Sequence, residues 1–144
     1  MRWKNRKNSD SSQRFEILLN EIVEVGLNKR ATGADRERLA AEYLAQRGMK
    51  ITEKNYRNQN GEIDLIGYHG GYLVFVEVKY RRDAKKGFAA EAVDMRKQRR
   101  ICKVADYYRY SHRIGEGTKV RYDVVAIQGE EIDWIQNAFP HIYR

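Results

Sequence analysis

Asp64, Glu77 and Lys79 are the residues of this chain whose types and spacing bear most directly on chemistry. Glu77-Val78-Lys79 closes an apolar run, Leu73-Val74-Phe75-Val76, that reads as a buried strand. Strand side chains alternate between faces, so Glu77 and Lys79 share one with Phe75 and Leu73. Burying charge is costly unless the charges are paired or hold a metal. Asp64 lies in a preceding strand, Ile63-Asp64-Leu65-Ile66, and Gly70-Gly71 between the two marks a hairpin that can bring Asp64 beside Glu77. Two hard carboxylates and a lysine on a strand pair suit phosphodiester hydrolysis that depends on Mg²⁺ or Mn²⁺. Mg²⁺ takes oxygen ligands in near-octahedral geometry and keeps several waters, so one or two carboxylates suffice. A bound metal makes water a nucleophile near neutral pH. A lysine beside it orients that water, or stabilises charge developing on phosphorus. The backbone carbonyl of Val78 offers a further oxygen. The competing reading is a buried Asp64–Lys79 or Glu77–Lys79 ion pair that serves structure alone.

The rest of the chain must hold these residues in place. Residues 1–30 read as a basic, polar arm followed by a short amphipathic helix, in which Phe15, Leu18, Leu19, Ile22 and Val25 recur at helical spacing up to Gly26. Residues 31–144 read as one domain. Thr32 can cap a second helix running to about Arg47 and closed by Gly48, with Leu39, Ala40 and Tyr43 on its apolar face. Glu37 falls in what reads as its first turn, where a carboxylate suits the helix dipole. Strands follow near Ile51–Arg57, Glu62–Tyr68 and Tyr72–Arg81. A long helix from about Ala89 to Tyr110 comes next, then strands near Lys119–Gln128 and Ile132–Gln136. The order is α-β-β-β-α-β with an extra N-terminal helix. A strand–helix–strand passage implies one parallel pairing, so the sheet is mixed. Val93, Ile101, Val104 and Tyr108 form the buried stripe of the long helix, with Lys97 in its middle. Lys97 either snorkels to solvent or turns toward the sheet, where it would reach a phosphate. Asp123 reads as the partner of Arg121 or a strand cap.

The run GEIDLI from Gly61 followed by VFVEVKYR from Val74 resembles the PD-(D/E)XK nuclease signature, and more narrowly the YraN-like family of uncharacterised bacterial proteins. Further matching segments are Gly33 to Leu44, Asn55-Tyr56-Arg57 and Arg121 to Ile127, so the resemblance spans about Gly33 to Ile127. It implies an α/β fold with a restriction-endonuclease-like core, a mixed central β-sheet flanked by helices. It also implies that the metal ligands and lysine fall on Asp64, Glu77 and Lys79, with a helix glutamate on Glu37. Residue 63 is Ile where the superfamily name has Pro, and residue 36 is Arg where the narrow family usually has Gly.

The charge points to a polyanionic partner. The formal net charge is +8 over 144 residues. Between Arg81 and Lys103 there are nine basic residues, including Arg81, Arg82, Lys85, Lys86, Lys97, Arg99 and Arg100, against three acidic ones. This stretch begins directly after the Glu77–Lys79 strand, where a phosphate backbone would lie. The single cysteine, Cys102, excludes an internal disulfide framework, and neither CxxC nor HExxH spacing occurs. No P-loop glycine pattern is present. Phe15 to Leu27 is broken by Glu16, Asn20, Glu21 and Glu24, so it reads as neither signal peptide nor membrane span, and the expectation is a cytoplasmic protein. The resulting expectation is a metal-dependent endonuclease acting on DNA, including branched or repair intermediates. Its competitors are a nucleic-acid-binding module of the nuclease fold without appreciable turnover, and a basic protein that docks an acidic partner. Cutting both strands symmetrically would need a second site, which a homodimer would supply.

Overall fold

A computed structural model describes residues 13–20, 33–81 and 93–143. Residues 13–20 are helical (α1). Then come α2 (Gly33–Gln46), β1 (Lys50–Asn58), β2 (Gly61–His69), β3 (Tyr72–Arg81), α3 (Met95–Ser111), β4 (Val120–Gln128) and β5 (Glu131–Phe139). The α-β-β-β-α-β order of a restriction-endonuclease-like core is present, with a fifth strand added. The expected Thr32 cap, Arg82, Lys85, Lys86 and the arm before residue 13 lie outside the described residues.

The five strands form one sheet in the order β1-β2-β3-β4-β5. Every pairing is antiparallel except β3 with β4, which is parallel as a strand–helix–strand passage requires. The β2–β3 hairpin turns on Gly70 and Gly71, whose φ angles are 56° and 81°. Two consecutive left-handed residues match the twist of a tight hairpin, and glycine adopts them without steric cost.

Apolar residues on alternate faces make two cores. On one face Ile101, Val104, Ala105 and Tyr108 of α3 pack over Leu73, Phe75, Tyr122 and Val124. On the other, Leu39, Ala40, Ala41 and Leu44 of α2 cover Leu65, Val74, Val76, Val125 and Ile127, and Leu18 of α1 joins them. Phe15 meets Tyr43 with ring centroids 5.8 Å apart, so this part of α1 covers its own chain's core. Arg121 forms a two-pronged pair with Asp123, at 2.9 Å from each oxygen, as the sequence suggests. Cys102 is a buried free thiol.

Two boundaries differ from the sequence reading. The long helix begins at Met95 and does not contain Val93. Asp94 is extended, and its carboxylate accepts the Lys97 N–H at 2.8 Å, which makes it the cap of α3. Strand β5 runs on past Gln136 to Phe139, which pairs with Tyr122 across a register shift.

Candidate metal centre

The site is made by a fork in the sheet. The β2–β3 ladder runs from His69–Tyr72 to Leu65–Val76 and stops. Beyond it β2 stays paired with β1 as far as Gly61, and β3 stays paired with β4 as far as Arg81. Asp64 and Glu77 are the first residues past the last pair. The Val78 N–H donates to Asp64 Oδ2 at 2.8 Å where a ladder carbonyl would otherwise receive it. A side chain thus satisfies a backbone donor at the point where the strands part.

Three elements bring acids into the fork. Glu62 lies two residues before Asp64 on β2 and so shares its face. Glu37 arrives from α2. Because α2 starts at Gly33 with Asp35 as the acid of its first turn, Glu37 lies beyond that turn, and helix-dipole stabilisation does not account for it. Carboxylate oxygens of Glu37, Glu62 and Asp64 all lie within 4.8 Å of one another. Arg36, one residue before Glu37, rests on the Tyr80 ring at 3.8 Å and ties the start of α2 to the end of β3.

Asp64 is the hinge of the cluster, touching Glu37 on one side and Glu77 on the other. Glu77 is only 6 % exposed. Burial, then the charge of Asp64, pushes its pKa up to about 7, against the pull of Lys97 and Lys79. Burial also raises Asp64, opposed by the Val78 N–H. Glu37 is raised by burial and by the Asp64 charge, with an Asn55 hydrogen bond opposing. Asn55 holds a φ of 54° within β1, a left-handed conformation that asparagine tolerates better than most residues and that costs free energy. The cations stand close by. Lys97 Nζ is 3.5 Å from Glu77 Oε1, so α3 turns this lysine toward the sheet.

The donor set fits a hard divalent cation. It is oxygen only, anionic and partly desolvated. A metal about 2.1 Å from each ligand holds its oxygens no more than roughly 4.2 Å apart, a small contraction from the spacing seen here. Carboxylates packed this closely repel one another, and the raised pKa values are that repulsion and burial expressed as proton affinity. Glu62 also meets Arg57 at 2.8 Å, but the arginine is largely exposed and such a pair is worth under about 1 kcal/mol, so it holds Glu62 loosely.

Of the residues singled out by sequence, the fork gathers Asp64, Glu77, Lys79, Glu37 and Lys97, and Val78 meets it through its N–H. Arg81 ends β3, and Arg99 and Arg100 are exposed on α3. Glu62 and Asn55 were missed. Alternation from Asp64 could have found Glu62, whereas Asn55 depends on a backbone twist that no local pattern encodes.

Among the described residues, no helix is long and apolar enough to cross a membrane. A model described as the uncharacterised protein family UPF0102 matches residues 36–127. A UPF0102 protein of Lachnoclostridium phytofermentans is 49% identical over 113 residues, covering 78% of this chain and 96% of its own length. One from Fusobacterium nucleatum is 41% identical over 111 residues, covering 77% and 92%. One from Aeromonas hydrophila is 45% identical over 108 residues, covering 74% and 83%.

Proposed function

This chain belongs to the UPF0102 family, and from that premise we propose that it is a divalent-metal-dependent endonuclease hydrolysing phosphodiester bonds in DNA, branched and repair intermediates included, in the cytoplasm. The observation that carries this reading is the fork, where Asp64 and Glu77 stand unpaired by the ladder beside Glu37, Glu62, Lys79 and Lys97. No structural requirement of the sheet asks for four carboxylates there.

Asp64, Glu77, Glu37 and Glu62 would hold Mg²⁺ or Mn²⁺, with the Val78 carbonyl as a further oxygen. The ion, when bound, supplies Lewis-acid polarisation of a phosphoryl oxygen and a more acidic water. Lys79 follows Glu77 on the same face of β3. It positions the attacking water, or stabilises the added charge on the phosphoryl oxygens. Lys97 neutralises Glu77 in the resting site and is close enough to pass to a phosphate once Glu77 has another cation. Arg81, Arg99 and Arg100 would take neighbouring phosphates along the strand, with Arg82, Lys85 and Lys86 from the connecting segment.

The Lys97–Glu77 ion pair also favours a second reading, a nucleic-acid-binding module whose acids are satisfied internally and which turns over little. The two separate in one assay. Linear, nicked, flapped and four-way DNA are incubated with Mg²⁺, with Mn²⁺ and with EDTA, using wild type, Asp64→Asn and Lys79→Ala. The nuclease reading expects cleavage that EDTA abolishes. It expects Asp64→Asn to lose metal binding, and Lys79→Ala to keep metal binding while cleaving about a hundredfold or more slower. Cleavage in EDTA, or a full rate in Asp64→Asn, removes it; tight DNA binding without cleavage selects the binding module.

A further inference from the structure

Beside the fork lies a second concavity that the hydrolytic reading does not use. It has a volume of about 600 Å³ and is lined by Asn60, Arg99, Lys103, Asp106, His141, Ile142 and Tyr143. That size falls within the roughly 300–1,000 Å³ of small-molecule sites. Its floor is the face of α3 on which Arg99, Lys103 and Asp106 succeed one another at helical spacing. One wall is Asn60, two residues before Glu62, and the other is the chain after β5. That second wall is fixed in place. The Ile142 N–H reaches Cys102 Sγ at 3.4 Å, and Tyr122 Oη and His141 Nδ1 are 2.6 Å apart.

The chemistry of the lining is uneven in an informative way. The side chains of Arg99 and Lys103 have no ion-pair or hydrogen-bond partner among the described residues. Asp106 lies at the far end, with its carboxylate 3.4 Å from His141 Nε2. Positive charge therefore lies at the end nearer Lys97 and the fork. Tyr143 is 83% exposed and stands edge-on to His141, with centroids 4.7 Å apart, which leaves a ring face open. Free cations beside an open aromatic face on a fixed wall match what a single nucleotide presents, an anionic phosphate and a π-faced base.

We propose that this groove holds an unpaired nucleotide of single-stranded nucleic acid, its phosphate on Arg99 and Lys103 and its base on Tyr143. This rests on the nuclease reading and names its substrate class: a duplex carrying a single-stranded branch, with the branch threaded past α3 and the duplex phosphate at the fork. Asn60, two residues from Glu62, links the two places.

The test is binding in EDTA, read by fluorescence anisotropy, of a flapped duplex and a blunt duplex of the same sequence. Wild type should prefer the flap. Tyr143→Ala should weaken flap binding roughly 5- to 100-fold, the range of losing one base–aromatic stack, while Tyr143→Phe retains it. Lys103→Ala should lower the log–log salt slope on the flap by about 0.7. Tyr143 is exposed, so the Ala variant keeps its fold, which a thermal melt checks. Flap affinity unchanged in both Ala variants, with duplex still bound, overturns the groove and leaves the nuclease reading standing. Flap preference lost on Tyr143→Ala in a protein that never cleaves sustains the groove and removes the nuclease. A protein that binds neither DNA overturns both.

Discussion

Glu77 must lose a proton before it can hold a cation, and its surroundings oppose that loss. Below pH 4.5 the carboxyl is protonated in folded and unfolded chains alike. Between there and its folded value of about 7 only the folded chain keeps the proton. The unfolded state then binds fewer protons, so stability falls as pH rises through this window, by on the order of 3 kcal/mol from Glu77. Asp64 and Glu37, also raised, add to the fall in the same direction. On the proposed metal-dependent reading a divalent ion would bind only the ionised folded site, so it should restore what pH removes. We expect Mg²⁺ or Mn²⁺ to raise Tm little at pH 5 and most above pH 7, and Glu77→Gln to flatten both trends. Scanning calorimetry with and without metal checks this, and a pH-independent metal shift would refute it. Asp64, Glu77 and Lys79 were legible because each breaks an apolar strand pattern with a charge. Glu62 was hidden because a strand's edge is an ordinary place for a glutamate. Lys97 was legible as an anomaly in an apolar stripe, but its direction was set by how α3 lies on the sheet.

Strands carry this site because two of them separate. The alternation of β2 and β3 and the Gly70-Gly71 turn fix their register, so the meeting of Asp64 and Glu77 follows from sequence. The fork itself does not. It arises because β1 and β4 each retain a partner strand after β2 and β3 have released one another, a competition between distant pairings. Helix α3 was misplaced at its start for a local reason, since Asp94 caps it from an extended conformation. β5 ran longer than expected because the Asn137 N–H finds Asp123 Oδ1 at 2.9 Å, which lets the strand continue past an irregular position. The grip of β1 on β2 can be tested at Gly67. A Cβ there would lie 2.6 Å from the Lys50 carbonyl oxygen and 3.1 Å from Met49 Cγ. Backbone cannot move aside as a flexible side chain does, so Gly67→Ala should cost about 1–3 kcal/mol in urea denaturation. It should also loosen the metal site, because Glu62 and Asn55 both depend on the β1–β2 pair. A variant as stable as wild type would show that β1 shifts freely at this position.

At the scale of the whole molecule, excess positive charge and a partly buried acidic cluster coexist, and their separation matters. A net charge of +8 draws polyanions at long range, while the acids at the fork would repel a phosphate that arrived without a cation. Nucleic acid and metal are therefore expected to favour each other's binding. The described part of α1 covers its own chain's core through Leu18 and Phe15. A homodimer, if symmetric cutting requires one, would have to use another surface than the side of α1 that holds them. The basic surface can be counted by salt. Each duplex phosphate neutralised contributes about −0.9 to the slope of log affinity against log salt. Replacing Arg99 and Arg100 with Ala removes two charges exposed on α3, next to the groove and the fork. The slope on a flapped duplex should then flatten by up to about 1.6, roughly 0.9 for a duplex phosphate on Arg100 and roughly 0.7 for a single-strand phosphate on Arg99, with affinity lost equally for unrelated sequences, since phosphate contacts carry no sequence information. An unchanged slope in the double Ala variant would mean that the flapped DNA runs elsewhere on the protein, and that this face of α3 is ordinary solvated surface.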